Sequence, residues 1–274
     1  MHTRGELRTL ALRRIAPLDA DVLLAHALGI SKEHLYAYPE APVDGDREAA
    51  FRDLLDRRAA GEPVAYLRGW KEFYGLRFAV DPRVLIPRPE TETLVDAILA
   101  SGPHLVADIG TGSGAIAVAL AMHSPACRVI ATDISAAALA VARANASAHG
   151  VADRVEFRQG DLLEPIRERV DAVAANLPYL TDVSVEEWTA ERASLAFEPR
   201  SAVLAGVDGL ALIRRAIADL PRVLAPGGAG YFECDPPQAR RLAREHGGEI
   251  LRDLSGSERV LVLRPSAPGA MMAP

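Results

Sequence analysis

Asn176, Leu177, Pro178 and Tyr179 follow directly on a run of small apolar residues, VDAVAA. That run reads as a buried strand, and these four residues end it. Asn176 brings a carbonyl acceptor and an amide donor. Pro178 stiffens the turn that follows, and Tyr179 offers a flat face to a planar group. Together they could hold a small planar substrate rich in N–H groups. An asparagine-capped turn with Tyr179 packed inside would use the same residues, so their neighbours decide.

A second cluster lies upstream. VADIGTGSGAIAVAL reads as a strand, a glycine-rich turn and the start of a helix. Gly110, Thr111, Gly112, Ser113 and Gly114 let the backbone approach a ligand, and the helix start offers free N–H groups. A plain tight turn would look similar, and the third glycine falls one position early for G-x-G-x-x-G. Three acids sharpen the reading. Asp108 ends the first strand, where it could meet a ligand ammonium group. Asp133 ends the second, RVIATD, about 20 residues past the loop, where an acid accepts two ribose hydroxyls. Asp161 follows the third, suited to an adenine amino group, with Leu162 against the base. Any one of them could be a helix cap. At three successive strand ends they fit a ligand with an ammonium, a ribose and an adenine, and S-adenosylmethionine has all three.

These residues need a frame. Beyond residue 100, HLVAD, RVIAT, RVEFR, DAVAAN and GGAGYFEC read as strands, with helices near 114–122, 136–148, 209–224 and 237–246. Such alternation predicts an α/β fold with a mostly parallel sheet covered on both faces. EILRDLSGSERVLVLRP puts two strand-like runs together without a helix between them, which predicts a C-terminal antiparallel hairpin. The tail, 266–274, should be frayed. Residues 1–65 look helical: DADVLLAHALGI and DREAAFRDLLDRRAAG carry apolar residues at helical spacing and close on Gly29 and Gly61. They hold no donor loop, and His2, His26 and His34 lack metal spacing. Between the two regions, 66–90 suggests a hairpin around Gly75. Its aromatics, Trp70, Phe73, Tyr74 and Phe78, could be a recognition patch or a core that seals a joint. IPRPETETLVDAIL then starts a helix, with Pro89 in the first turn and Glu90 and Glu92 at the positive end.

Bulk properties narrow the class. The 274 residues are 49% hydrophobic and 25% charged, with a net charge of −6. That is a globular composition without the global basic field of a phosphate-backbone binder. Direct nucleic-acid binding is therefore not expected. No apolar run reaches the roughly 18–20 residues needed to cross a bilayer, and the N-terminus lacks a secretory h-region. Cys127 and Cys234 are far apart and lack metal spacing. A cytoplasmic protein without a metal centre is expected.

Asn-Leu-Pro-Tyr resembles the Asn-Pro-Pro-Tyr signature of methyltransferases that modify planar amide or amino nitrogens. EPVAYLRGWKEFYGLRFAVDPRVLIPRPETETL resembles the region that joins the two domains in the HemK/PrmC family, the glutamine methyltransferases of peptide chain release factors. FEPRSAVLAGVDGLALIRRAI is similar to that family's segment after the tyrosine. The likeness covers nearly the whole chain, and IPRPETE is its most specific element. It implies a seven-stranded, Rossmann-like methyltransferase domain over 91–265, a hairpin linker over 66–90 and a helical substrate-recognition domain over 1–65. It also implies S-adenosylmethionine as methyl donor and release factors as protein partners, methylated on the glutamine of a Gly-Gly-Gln motif. By position, Gly110 through Gly114, Asp133, Leu162 and Asn176 would hold the donor. Asn176 through Tyr179 would hold the glutamine, with Arg88, Pro89, Glu90 and Thr91 bordering the pocket.

Two departures stand out. Leu177 replaces the first proline, whose expected contribution, a backbone carbonyl, leucine also supplies. The stretch from Phe232 to Gln238, FECDPPQ, departs from the family's Glu-Ile-Gly pattern. Other readings remain at this stage. A nucleic-acid adenine methyltransferase uses a similar pocket for a flipped base, but would need a basic groove. A methyltransferase acting on another protein, or a release-factor or ribosome binding module without turnover, would also carry these features.

Overall fold

The computed structural model describes residues 1–181, 195–204 and 208–264. The tail expected to fray, 266–274, lies outside them. The chain separates into two compact units, one comprising Met1–Trp70 and the other beginning at Lys71.

The first unit is helical. Its helices are α1 (Arg4–Ala11), α2 (Pro17–Leu28), α3 (Lys32–Ala37), α4 (Gly45–Ala59) and α5 (Val64–Arg68). Thr3 and Glu6 form a reciprocal capping box at the start of α1. Gly29 closes α2. Leu7, Leu23, Leu24, Phe51 and Leu55 are fully buried in one apolar cluster, the packing the sequence spacing requires.

A hairpin, β1 (Trp70–Phe73) and β2 (Leu76–Ala79), begins at the last residue of the Met1–Trp70 stretch and runs into the second unit. Tyr74 and Gly75 both take positive φ at its turn, as a two-residue hairpin demands. Phe73 and Phe78 are buried in the core of the large sheet, 6.0 Å apart and edge to face. Two of the four aromatics are therefore core residues of this unit.

A 3₁₀ turn, Pro89–Thr91, leads into α6 (Glu92–Ala100). Then come β3 (Leu105–Ile109), α7 (Ala115–His123), β4 (Arg128–Asp133), α8 (Ala136–Ala148), β5 (Val155–Gln159) and β6 (Val170–Ala175). The described elements end with α9 (Arg200–Val203), α10 (Ala211–Val223), β7 (Leu224–Glu233), α11 (Pro236–His246), β8 (Glu249–Arg252) and β9 (Glu258–Leu263). The seven strands lie in the order β5-β4-β3-β6-β7-β9-β8. The first five are parallel, and β9 is antiparallel to both β7 and β8. The expected mostly parallel sheet with a C-terminal antiparallel hairpin is what forms. One apolar cluster covers each face of it. Cys127 and Cys234 are buried and unbridged. No helix among the described residues is long and apolar enough to cross a membrane.

Candidate active site

The strand order reverses at β3. The chain winds from β3 to β4 and β5 on one side, then returns to place β6 on the other. Ligands of open α/β sheets bind at the carboxyl edge beside such a reversal. Ile109 pairs with Thr132 on one side and with Ala175 on the other, so both neighbouring strands end level with β3. Ala175 in turn pairs with Phe232 of β7. The glycine turn, Asp133, Asn176 and Glu233 thus meet at one edge.

Within the glycine turn, Gly110 has φ 68°, and an added Cβ would come 2.9 Å from Leu177 Cδ2. Only glycine lets the loop lie this close to the residue after Asn176. The Gly112 N–H donates to Asp133 Oδ2 at 2.9 Å, and the Ser135 N–H donates to Oδ1 at 2.8 Å. Two backbone bonds hold the Asp133 carboxylate while each oxygen keeps a lone pair. Thr132 Oγ1 donates to the Leu162 carbonyl at 2.8 Å, and Leu162 has φ 48°. A non-glycine residue held in this region marks a constrained turn.

Asp108 is fully buried. Its Oδ2 accepts from the Thr111 hydroxyl at 2.6 Å, while Oδ1 has no partner among the described residues. Burial pushes its carboxyl up to about 7, against the opposing Thr111 hydrogen bond. An orphaned buried acid oxygen calls for a donor, and a ligand ammonium fits it. Asp161 differs. Its Oδ2 is taken by Arg215 Nη2 at 2.6 Å, so any contact with an adenine amino group must be shared with that pair. A cleft of about 300 Å³ opens here, lined by Asp161, Leu162, Leu163, Arg215, Ala216 and Asp219.

On the substrate side, Asn176 Nδ2 donates to Thr91 Oγ1 at 2.9 Å. Among the described residues neither Asn176 Oδ1 nor the Leu177 carbonyl takes a hydrogen bond. Leu177 is 2% exposed, and its side chain belongs to the apolar cluster with Ile109 and Leu210. The side chain therefore faces the core. Burial drives the Tyr179 hydroxyl well above the ordinary phenol range, which keeps it neutral. The border residues are not alike. The Arg88 guanidinium pairs with Glu198, whose Oε2 accepts the Ile86 N–H at 3.0 Å. Arg88 is thus a strut that fixes the IPRPETE segment, and Thr91 is the residue that touches Asn176.

Three residues beyond those read from the sequence support the edge. Asn145 of α8 is buried; it donates from Nδ2 to the Ser113 carbonyl at 2.8 Å and to the Ala79 carbonyl at 3.0 Å. It ties the glycine turn to the hairpin. Gln238 donates from Nε2 to the Tyr179 carbonyl at 2.9 Å, and its Oε1 accepts the Asp235 N–H at 3.2 Å. The stretch that departs from the family pattern is therefore a capping box that also clamps the Tyr179 turn. Glu233, at the end of β7, is 1% exposed.

This assembly has close relatives. A family profile described as the PrmC N-terminal domain matches residues 7–69, and one described as the methyltransferase small domain matches residues 89–194. The release factor glutamine methyltransferase of Bordetella pertussis is 44% identical over 256 residues, covering 89% of this chain and 93% of that protein. The chain belongs to the release factor glutamine methyltransferase family. The enzyme of that name from Xylella fastidiosa strain 9a5c is 41% identical over 269 residues, 94% of this chain and 96% of that protein. Among solved structures, the hMettl16 catalytic domain, in complex with a MAT2A 3'UTR hairpin, has a TM-score of 0.54 at 17% identity. It covers 77% of this chain and 81% of that one, and shares the fold.

Membership in the family gives the orphaned Asp108 oxygen a testable meaning. An acid poised at about 7 must lose its proton before it pairs with an ammonium group. Between pH 6 and 8 the affinity for S-adenosylmethionine should rise about tenfold, and Asp108→Asn should flatten that rise. Without donor the sign reverses. The folded-state value lies above the free-carboxyl value of about 3.9, so the stability contributed by protonated Asp108 fades as pH climbs through about 7. Calorimetric titrations across this range check both; an equal pH dependence in Asp108→Asn would remove Asp108 from the donor site.

Leu177 is the family departure that the structure explains. Its carbonyl has no partner among the described residues and its side chain packs in the core, so Leu177→Ala should keep glutamine methylation within about threefold. The same change should cost about 2–4 kcal/mol of stability through the cavity it leaves. Denaturant melts and steady-state rates on one preparation separate the two effects. A large shift in substrate preference with unchanged stability would mean that the side chain lines the pocket instead.

Proposed function

We propose that the protein transfers a methyl group from S-adenosylmethionine to the side-chain amide nitrogen of the glutamine in the Gly-Gly-Gln motif of peptide chain release factors. The observation that carries the reading is the similarity over 89% of this chain to a named release factor glutamine methyltransferase. Asp108 takes the donor's ammonium, Asp133 the ribose hydroxyls, and Leu162 with Asp161 the adenine, while the glycine turn supplies backbone contact. When bound, the donor supplies an electrophilic methyl group on a sulfonium. Every other contribution comes from the chain.

A carboxamide nitrogen is a weak nucleophile, because its lone pair is delocalised into the carbonyl. Asn176 Oδ1 and the Leu177 carbonyl accept its two N–H groups and fix the direction the nitrogen faces. Two acceptors aimed at N–H groups also favour the charge that builds on the nitrogen as it reacts. Tyr179 covers the planar amide with its ring, and its raised pKa keeps it from competing as a base. Geometry therefore carries the rate, without a histidine. Residues 1–65 recognise the protein substrate, and the reaction belongs to translation termination in the cytoplasm. Incubation with labelled donor and purified release factors, followed by mass mapping, tests the reading. Label on the Gly-Gly-Gln glutamine supports it; label confined to another protein, or to an adenine-containing oligonucleotide, overturns it.

A further inference from the structure

Three consecutive residues of the glycine turn are each held by one hydrogen bond. The Thr111 N–H donates to the Thr132 carbonyl at 2.9 Å, and the Gly112 N–H donates to Asp133 Oδ2 at 2.9 Å. The Ser113 carbonyl accepts from Asn145 Nδ2 at 2.8 Å. The first two holds come from the end of β4. The third comes from a side chain of α8 that is 2% exposed.

This third hold acts where the turn is loosest. The Ser113–Gly114 peptide can turn over by rotating ψ of one residue and φ of the next, and a glycine at the second position makes that rotation cheap. In the structure Gly114 has φ 79°, its N–H donates to the Thr111 carbonyl at 2.8 Å, and the Ser113 carbonyl is committed to Asn145. A Cβ on Gly114 would stand 3.0 Å from the Cβ of Ala142, which lies three residues before Asn145 on the same face of α8. One helix face both seats the turn and bonds it.

Asn145 has little freedom of its own. Its Oδ1 accepts the Ala79 N–H at 2.8 Å, and its Nδ2 donates to the Ala79 carbonyl at 3.0 Å. This reciprocal pair fixes which arm carries the donor, and leaves the second Nδ2 hydrogen for Ser113. An amide turned over would set Oδ1 against two carbonyls. Ala79 is the last residue of β2, so the end of the hairpin governs the shape of the glycine turn. The tip of the hairpin faces a different element. The Tyr74 N–H donates to Glu92 Oε1 at 2.8 Å, and the Tyr74 hydroxyl donates to Asp96 Oδ1 at 2.6 Å. Glu92 directly follows Thr91, the residue that touches Asn176. We infer that the hairpin is a brace between the two halves of the site. Through Asn145 it holds the glycine turn in its donor-binding shape, and through Glu92 it holds Thr91 and so Asn176. Asn145 and Glu92 are positioning residues. The brace rests on the reading of the glycine turn as the donor's seat and of Asn176 as an acceptor for the substrate amide.

The test uses the full chain, release factor and S-adenosylmethionine. Asn145→Leu, similar in shape but without hydrogen-bonding groups, leaves the Ser113 carbonyl unpaired, and the peptide turns over. With about a tenth of the molecules in the binding shape, the apparent Kd for the donor should rise about tenfold while release-factor KM stays within about threefold. His149→Ala is the control. Its ring Nε2 meets the Arg77 carbonyl at 2.8 Å, one helical turn past Asn145, and has no hydrogen bond to the glycine turn among the described residues. Donor affinity there should stay within about threefold. At the other end, Glu92→Ala should lower kcat about tenfold at saturating donor, and Glu92→Gln, which keeps an acceptor for the Tyr74 N–H, should return it to within about threefold of wild type. Glu92 is half-buried in the first turn of α6, so this pair reads the brace even where Asn145→Leu does not fold. Wild-type donor affinity in folded Asn145→Leu, an equal loss in His149→Ala, or equal kcat losses in Glu92→Ala and Glu92→Gln would each overturn the brace. Asp133→Ala and Asn176→Ala in parallel separate the brace from its basis. Unchanged donor affinity in the first or full activity in the second removes the reading of the site. Losses in both beside a wild-type Asn145→Leu remove only the brace.

Discussion

Asn176→Ala is expected to reduce release-factor glutamine methylation at least about a hundredfold, a loss of roughly 2.7 kcal/mol of transition-state stabilisation. Asn176 directly follows β6 beside the strand reversal, level with the glycine turn, and its Oδ1 has no partner among the described residues. Alanine keeps the backbone and the Leu177 carbonyl but removes one of the two acceptors that the proposed reaction uses to aim the nucleophile. A singly held amide rotates about the remaining bond, and misalignment of this kind costs rate more than it costs binding. Release-factor KM should therefore change far less than kcat. Asn176→Asp should not rescue the loss. Aspartate supplies an acceptor, but it places a second carboxylate beside buried Glu233, since Ala175 pairs with Phe232. Single-turnover rates with prebound donor isolate the chemical step. A nearly silent Asn176→Ala would take Asn176 out of the reaction.

What could be read in advance, and what could not, follows from how far each signal extends along the chain. The glycine turn, Asp108 and Asp133 announce themselves locally, because a strand end and a helix start lie within a few residues of each. Asn176 to Tyr179 are legible for the same reason. The strand order that brings them together follows from the right-handed crossovers of an alternating chain. Supporting residues carry no such local mark. Asn145 contacts Ala79 from 66 residues away, Thr91 meets Asn176 across 85, and Glu198 meets Ile86 across 112. In sequence Asn145 is one polar residue in an alanine-rich helix, and Glu233 one acid after an apolar run. Nothing near Asp161 in the sequence shows that it shares its carboxylate with Arg215, 54 residues on. Leu177 reads as a gap in a motif until its side chain is seen buried against Gly110.

Gly209→Ala should be nearly as damaging as Asn176→Ala, although residue 209 touches no substrate in the proposed reaction. Gly209 has φ 68°, a backbone conformation that costs an L-residue about 1 kcal/mol or more. The steric consequence is larger. A Cβ there would be driven into the Tyr179 carbonyl oxygen, would lie 3.0 Å from the Tyr179 carbonyl carbon, and would crowd Gln238 Nε2. Gln238 could swing aside. The Tyr179 carbonyl is main chain, three residues from Asn176, and can move only by shifting the Leu177–Tyr179 turn. That displacement breaks the Gln238 bond to the Tyr179 carbonyl and misplaces the Leu177 acceptor and the Tyr179 ring together. Methylation should fall about a hundredfold, a loss on the scale caused by an ångström of misplacement. Donor affinity, assigned in the proposed reaction to Asp108 and Asp133 across β3 and β4, should stay within about threefold. Gln238→Ala separates the clamp from the clash. It breaks the same hydrogen bond without pushing the turn, and should cost only about tenfold. Rates and donor binding for the two variants decide the matter. Equal losses would mean that the clamp alone positions the turn, and a Gly209→Ala enzyme of wild-type rate would mean that the turn yields without moving the acceptors.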